Sequence, residues 1–166
     1  MKLRDSVIIV TGSATGLGSA IVKQVAAKGA RVVINYTKSE KEAHETEAVC
    51  DYLGVESILC KADVSVDEDC RRMADLSMEK WGRIDGLVNN AARSVFANFK
   101  DLEALDGQQF MDVYSVNVVG AYQMTRAAAP HMKAGGDGSI VNVSSISALT
   151  GAGSSIAYVA SKGALN

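Results

Sequence analysis

Tyr158 and Lys162 stand four residues apart in the segment Tyr158-Val159-Ala160-Ser161-Lys162. If that segment is helical, both side chains lie on one face. A free tyrosine titrates at about pH 10 and is a poor base at neutral pH. A lysine charge beside it favours the tyrosinate and lowers that value. Such a pair can pass a proton to or from an alcohol or carbonyl oxygen, although the same spacing also arises in helices that do no chemistry. Ser145 closes an expected strand upstream, where its hydroxyl either donates to a substrate carbonyl or serves turn chemistry. It does not read as a nucleophile, because neither His44 nor His131 stands in a triad pattern. Asn117 falls inside a long expected helix, on a face shared with Phe110, Val113, Tyr114, Val118, Ala121 and Thr125. Asparagine is a weak helix former. Two readings stand side by side: a hydrogen-bonded core amide, or a local backbone opening that holds a water.

A second group of residues suits an anionic, flat ligand. Thr11-Gly12-Ser13-Ala14-Thr15-Gly16-Leu17-Gly18 follows the apolar run Val7-Ile8-Ile9-Val10 and precedes a helical stretch ending at Gly29. Glycine permits a sharp bend and a close backbone approach, and the helix start offers N–H donors to a phosphate. The spacing is a variant of the dinucleotide fingerprint. Asp63 ends another expected strand, where its carboxylate either accepts from an adenine amino group or caps the turn. Asn89-Asn90-Ala91-Ala92 ends a further one, with small side chains that let backbone lie against a flat cofactor or form an Asx turn.

The elements that carry these residues alternate along the whole chain. Strands are expected at Val7–Thr11, Ala30–Asn35, Ser57–Ala62, Ile84–Asn89 and Ser139–Ser144. The first helix carries the apolar stripe Leu17, Ala20, Ile21 and Val25. Helices follow at about Glu40–Leu53 with Ser39 as cap, Asp67–Trp81 with Asp67 as cap, Leu105–Met132, and from Tyr158 onward. This alternation predicts a doubly wound parallel sheet covered on both faces, an α/β Rossmann-like three-layer fold. Ligands then bind outside the carboxyl ends of the strands, which places Gly12, Asp63, Asn89 and Ser145 on one rim. The 166 residues, 48% hydrophobic and 22% charged, make one domain, 1–166, with no boundary or repeat. The net charge of −2 gives no case for nucleic acid, and no apolar run reaches the length of a membrane span. Cys50, Cys60 and Cys70 fit no metal-ligand spacing and read as free thiols in a reducing cytosol. The histidines read as surface residues, so no metal is expected.

Taken together, these motifs resemble the short-chain dehydrogenase/reductase family along the whole chain. Thr11–Gly18 is similar to its T-G-x-x-x-G-x-G, Asp63-Val64 to its adenine-contacting pair, and Asn89-Asn90-Ala91-Ala92 to its N-N-A-G, with Ala92 in place of glycine. Asn117, Ser145, Tyr158 and Lys162 match its catalytic set in order and spacing. The nearest subgroup it resembles contains 3-oxoacyl-carrier-protein reductases and glucose dehydrogenase-like enzymes. The resemblance implies hydride transfer between NAD(P)(H) and a carbonyl or alcohol. Tyr158 exchanges the proton, Ser145 polarises the carbonyl, Lys162 holds the nicotinamide ribose and tunes Tyr158, and Asn117 positions a water. It also implies that Gly12, Ser13, Thr15, Gly16, Leu17, Gly18, Asp63, Val64, Asn90, Ala91 and Ala92 contact the cofactor. At the end of the second strand, Tyr36, Thr37 and Lys38 offer neutral donors and a cation where an acidic residue would select NAD, so NADP(H) is favoured over NAD(H). A homodimer or homotetramer in the cytoplasm is the implied state. Family chains continue past Asn166 with the substrate segment, so this chain reads as C-terminally truncated. A nucleotide-binding or interaction module without turnover is therefore the alternative.

Overall fold

Apolar β-branched runs that need cover on both faces form the centre of the molecule. In the computed structural model, which describes residues 2–166, β1 (Val7–Val10) is buried along its whole length. It lies between β2 (Arg31–Tyr36) and β4 (Gly86–Asn89), with β3 (Ser57–Lys61) and β5 (Ser139–Asn142) at the edges. The order is β3-β2-β1-β4-β5 and every pairing is parallel. Alternate residues of each strand point to opposite faces. Ile9, Val33 and Leu87 pack on α3 (Asp67–Trp81) and α5 (Ala121–Ala134) through Met73, Ala74, Met124 and Ala128. Ile8, Val10, Val32 and Ile34 pack on α1 (Gly16–Ala26) and α2 (Glu40–Tyr52) through Val22, Ala26, Ala43 and Cys50. The fold is thus the three-layer, doubly wound Rossmann-like sheet that the alternation predicts.

Several local expectations are corrected. The buried stripe of α1 is Gly18, Ser19, Val22 and Ala26, so Leu17 and Ala20 face outward. The glycine loop must press into the sheet, and that rotates the helix away from the phase the larger apolar residues suggest. Asp67 does not cap α3. Val66 holds the cap position, and the Asp67 carboxylate pairs with Arg71 and Arg126. Ser39 holds the cap position of α2 without a side-chain bond. β5 stops at Asn142, so Ser145 lies beyond the strand in a turn that enters a short helix, α6 (Ser147–Thr150). The last helix, α7 (Ile156–Leu165), starts earlier than Tyr158, and the Ser155 hydroxyl caps it by accepting from the Tyr158 N–H.

The long helix is interrupted. α4 (Gly107–Tyr114) opens with a reciprocal capping box between Asp106 and Gln109. It then widens into one π-helical segment, Ser115–Gly120, before α5 resumes the ordinary pitch. The cysteines are buried and free, and burial pushes Cys50 up to about 11 and Cys70 up to about 12, which keeps both as inert thiols. Among the described residues no helix is long and apolar enough to cross a membrane.

Two glycines let α1 enter the sheet. Gly12 has φ +60°, and a Cβ there would sit 2.9 Å from the Ala91 Cα. At Gly18 a Cβ would meet the Gly12 carbonyl oxygen at 2.4 Å and the Asn90 Nδ2 at 2.6 Å. Gly16 also has a positive φ but faces open space. Gly18→Ala, which drives a methyl into backbone, is therefore expected to lower stability by about 1–3 kcal/mol and displace the loop. Gly16→Ala is expected to cost about 1 kcal/mol from backbone strain alone. Thermal or urea unfolding of the two variants checks the order, and a Gly18→Ala protein as stable as Gly16→Ala would contradict it.

Candidate active site

Strand order reverses between β1 and β4, so the loops leaving them turn to opposite sides and a cleft opens between them. The cleft has a volume of about 760 Å³. Its floor is the loop after β1 and the first turn of α1, through Gly12, Ala14, Thr15, Gly16, Leu17 and Gly18. The first N–H groups of α1 have no intrahelical partner, and with the helix dipole they favour an anion at this end. One wall comes from Tyr36, Thr37, Lys38 and Ser39 after β2, and from Asp63 and Val64 after β3. The opposite wall comes from Asn90, Ala91 and Ala92 after β4, and from Val116 in the π segment.

The loop is held by buried hydrogen bonds. The Thr11 hydroxyl accepts from the N–H groups of Asn90 (3.0 Å) and Ala91 (2.9 Å). The Asn90 amide donates back to the carbonyls of Thr11 (2.9 Å) and Gly12 (3.0 Å). Asn90 thus lines the cleft while its Nδ2 is spent on the loop. Ser13 is fully buried and outside the cleft lining, its hydroxyl donates to the Val10 carbonyl, and its N–H donates to the Asn35 carbonyl. Asp63 serves the turn and lines the cleft: its Oδ1 accepts from the Ser65 N–H and hydroxyl.

The four residues that could do chemistry lie outside the cleft lining, and Asn117 reaches it through the backbone of Arg93. Lys162 is buried at 2% exposure, and its Nζ donates to the Val143 carbonyl at 2.6 Å. The same ammonium stands 5.9 Å from the centroid of the Tyr158 ring, so the four-residue spacing does place the two groups on one side of α7. Burial pushes the Lys162 ammonium below its ordinary value of 10.5. The Ser145 hydroxyl accepts from the Ser147 N–H at 3.1 Å, which fixes it at the start of α6.

Asn117 sits in the π segment and is 1% exposed. Its Oδ1 accepts from the Arg93 N–H (2.7 Å), and its Nδ2 donates to the Arg93 carbonyl (3.0 Å) and the Ser161 hydroxyl (2.9 Å). Ser161 in turn donates to the Tyr158 carbonyl at 2.7 Å. The amide is thus hydrogen-bonded to protein partners at a point where the backbone widens into a π turn. The arrangement locks the loop after β4 to the helix bearing Tyr158. A second lock joins Ser94 to Ser154, whose hydroxyl also donates to the Val95 carbonyl.

Asn35, which opens the stretch Asn35-Tyr36-Thr37-Lys38-Ser39, lines the cleft, and so do Arg93 and Ser94, for which the sequence offers no motif. Arg93 and Ser94 sit in a polar loop whose partners are remote in sequence.

Residues 6–166 match the family model described as short chain dehydrogenase. A protein of Streptomyces violaceoruber, designated ketoacyl reductase 2 of the granaticin polyketide synthase, is 41% identical over 157 residues, 95% of this chain and 61% of that protein. The chloroplastic NADPH-dependent aldehyde reductase 1 of Arabidopsis thaliana is 35% identical over 170 residues, 99% of this chain and 58% of that one. The chain thus spans about three fifths of the length of these relatives. Among solved structures, a metagenomic short-chain oxidoreductase in complex with NADP is similar at TM-score 0.91 and 31% identity, covering 100% of this chain and 74% of that one. NAD+-bound xylitol dehydrogenase is similar at TM-score 0.90 and 30% identity, covering 99% and 62%. With its reversed strand order, its glycine-lined cleft and a match running from Ser6 to Asn166, the chain belongs to the short-chain dehydrogenase family.

Proposed function

We propose that residues 1–166 form one dinucleotide-binding unit of an NAD(P)-dependent oxidoreductase acting on a carbonyl or alcohol. The observation that carries the proposal is the cleft itself, with an anion cradle at one end and, on its lining, Arg93, whose backbone is bonded to Asn117 and through it to Ser161 of the helix bearing Tyr158 and Lys162. A bound nicotinamide cofactor supplies the hydride chemistry. Gly12, Thr15, Gly16, Leu17 and Gly18 receive its phosphates, Asp63 and Val64 its adenine, and Asn90, Ala91 and Ala92 its nicotinamide half. Tyr158 gives a proton to the substrate oxygen in reduction and takes it in oxidation. Ser145 orients and polarises the carbonyl. Lys162, whose Nζ stands 5.9 Å from the Tyr158 ring, holds the nicotinamide ribose, and Asn117 positions α7 through Ser161.

Thr37 and Lys38 are exposed at the end of β2, where a 2′-phosphate would lie, and they favour NADP(H) over NAD(H). The NADP-bound and NADPH-dependent relatives support that preference, and the NAD+-bound one shows that the scaffold takes either. A 3-oxoacyl-type ketone is the substrate class that the relative designated a ketoacyl reductase favours. The exposed apolar face of Met111, Val119 and Tyr122 on α4, the π segment and α5 favours a homodimer or homotetramer. Three free buried cysteines suit a reducing compartment, and we place the protein in the cytoplasm. The chemistry-bearing residues favour an enzyme over a binding module without turnover.

NADPH is expected to bind with lower Kd than NADH, and direct titration of both checks this. With a panel of ketones and β-ketoacyl thioesters, Tyr158→Phe is expected to lose roughly 10²–10⁴-fold in kcat with cofactor Kd unchanged. Retained turnover in that variant would remove Tyr158 from the chemistry. Because burial lowers the Lys162 value, its charge disappears as pH rises through a point below 10.5. Alcohol oxidation should accordingly fall on an alkaline limb centred below 10.5. Lys162→Arg, which keeps its proton, should move that limb upward. A wild-type profile without such a limb would contradict the role of the charge.

A further inference from the structure

Asn35 is an amide in the middle of an apolar sheet, 2% exposed, at the end of a strand whose preceding Val32, Val33 and Ile34 are fully buried. A buried amide is tolerated only when its donors and acceptor are engaged. Here all are. Its Oδ1 accepts from the Gly12 N–H at 2.8 Å, and its Nδ2 donates to the carbonyls of Ala62 (2.9 Å) and Cys60 (3.3 Å). Its backbone N–H donates to the Ser13 hydroxyl (2.9 Å), and its carbonyl accepts from the Ser13 N–H (2.8 Å).

The position explains the need. Val10 pairs with Ile34 in the last register of β1 against β2, so Asn35 lies one residue past the point where the ladder ends and the loop departs. On its other side, Asn35 pairs with Cys60 of β3, whose continuation carries Asp63 and Val64. One side chain thus bridges the departing glycine loop and the departing β3 turn. Its oxygen also engages the Gly12 N–H. An aspartate would aim lone pairs at two carbonyls, and a serine is too short to span both exits.

We infer that Asn35 is a positioning residue for the cofactor: it sets the spacing between the loop that receives the pyrophosphate and the wall that receives the adenosine. The inference rests on the dinucleotide reading above. A ligand that spans both surfaces depends on that spacing, and one that rests on the adenosine wall alone does not.

The test uses Asn35→Ala and the milder Asn35→Ser in the complete chain. In the cofactor-free protein, exchange of the Gly12 amide is expected to accelerate about tenfold or more while the Val33 amide is unchanged, since local opening rather than global unfolding is affected. The Kd for NADPH is expected to rise about tenfold while that for adenosine 2′,5′-bisphosphate stays within about twofold, and kcat at saturating NADPH stays within about twofold. Equal weakening of both ligands, or Gly12 exchange as slow as in the wild type, would overturn the inference and reduce Asn35 to a general stabilising residue. Failure of the wild-type protein to bind NADPH at all would defeat the cofactor reading and the positioning role with it. That result is separable from the others because it appears before any substitution is made.

Discussion

Where a parallel sheet ends, its strands leave behind backbone groups that no neighbour can pair, and burial makes each of them costly. At the reversal point between β1 and β4 this constraint is most acute, because the two exits diverge. The protein meets it with polar side chains aimed inward. Thr11 and Asn90 bond across from β1 to β4, and Ser13 and Asn35 across from β1 to β2. With those partners supplied from below, the loop can leave its remaining N–H groups facing the cleft. An anion-receiving surface is the by-product of satisfying everything else.

The buried end of α7 follows a different rule. Lys162 is among the most deeply buried side chains of the molecule, and its Nζ donates to the Val143 carbonyl. Its desolvation is a cost to the fold, incurred 5.9 Å from the Tyr158 ring. The neighbouring polar contacts, Asn117 to Ser161 and Ser144 to the Lys162 carbonyl, keep α7 seated so that the ammonium stays where that cost is incurred.

What the sequence disclosed divides along the range of the interactions. The glycine loop, the Tyr158–Lys162 spacing and the alternating elements are local patterns, and each was legible because its meaning is complete within a dozen residues. Ser13 shows the opposite case. It belongs to the glycine motif, and its partners, Val10 and Asn35, turn it into the sheet. The phase of α1 was misread because helix burial was inferred from side-chain size. The close contact at Gly18 instead makes a glycine the buried point. Arg93 and Ser94 gave no signal, since their roles come from Asn117 and Ser154, which lie far along the chain. The strand end at Asn142 could not be told from an apolar run that continues to Val143.

The π segment has a consequence for how this chain tolerates change in length. A π turn holds one residue more than an α turn over the same rise, and an α-helix advances about 100° per residue. Deleting a single residue between Ser115 and Gly120 would close the segment to ordinary pitch while α4 and α5 keep their mutual orientation, because the extra residue is taken up within the widened turn. The side chains inside the segment would change direction instead, and Asn117 would leave Arg93 and Ser161. The extra residue thus sets where Asn117 points without moving the helices on either side.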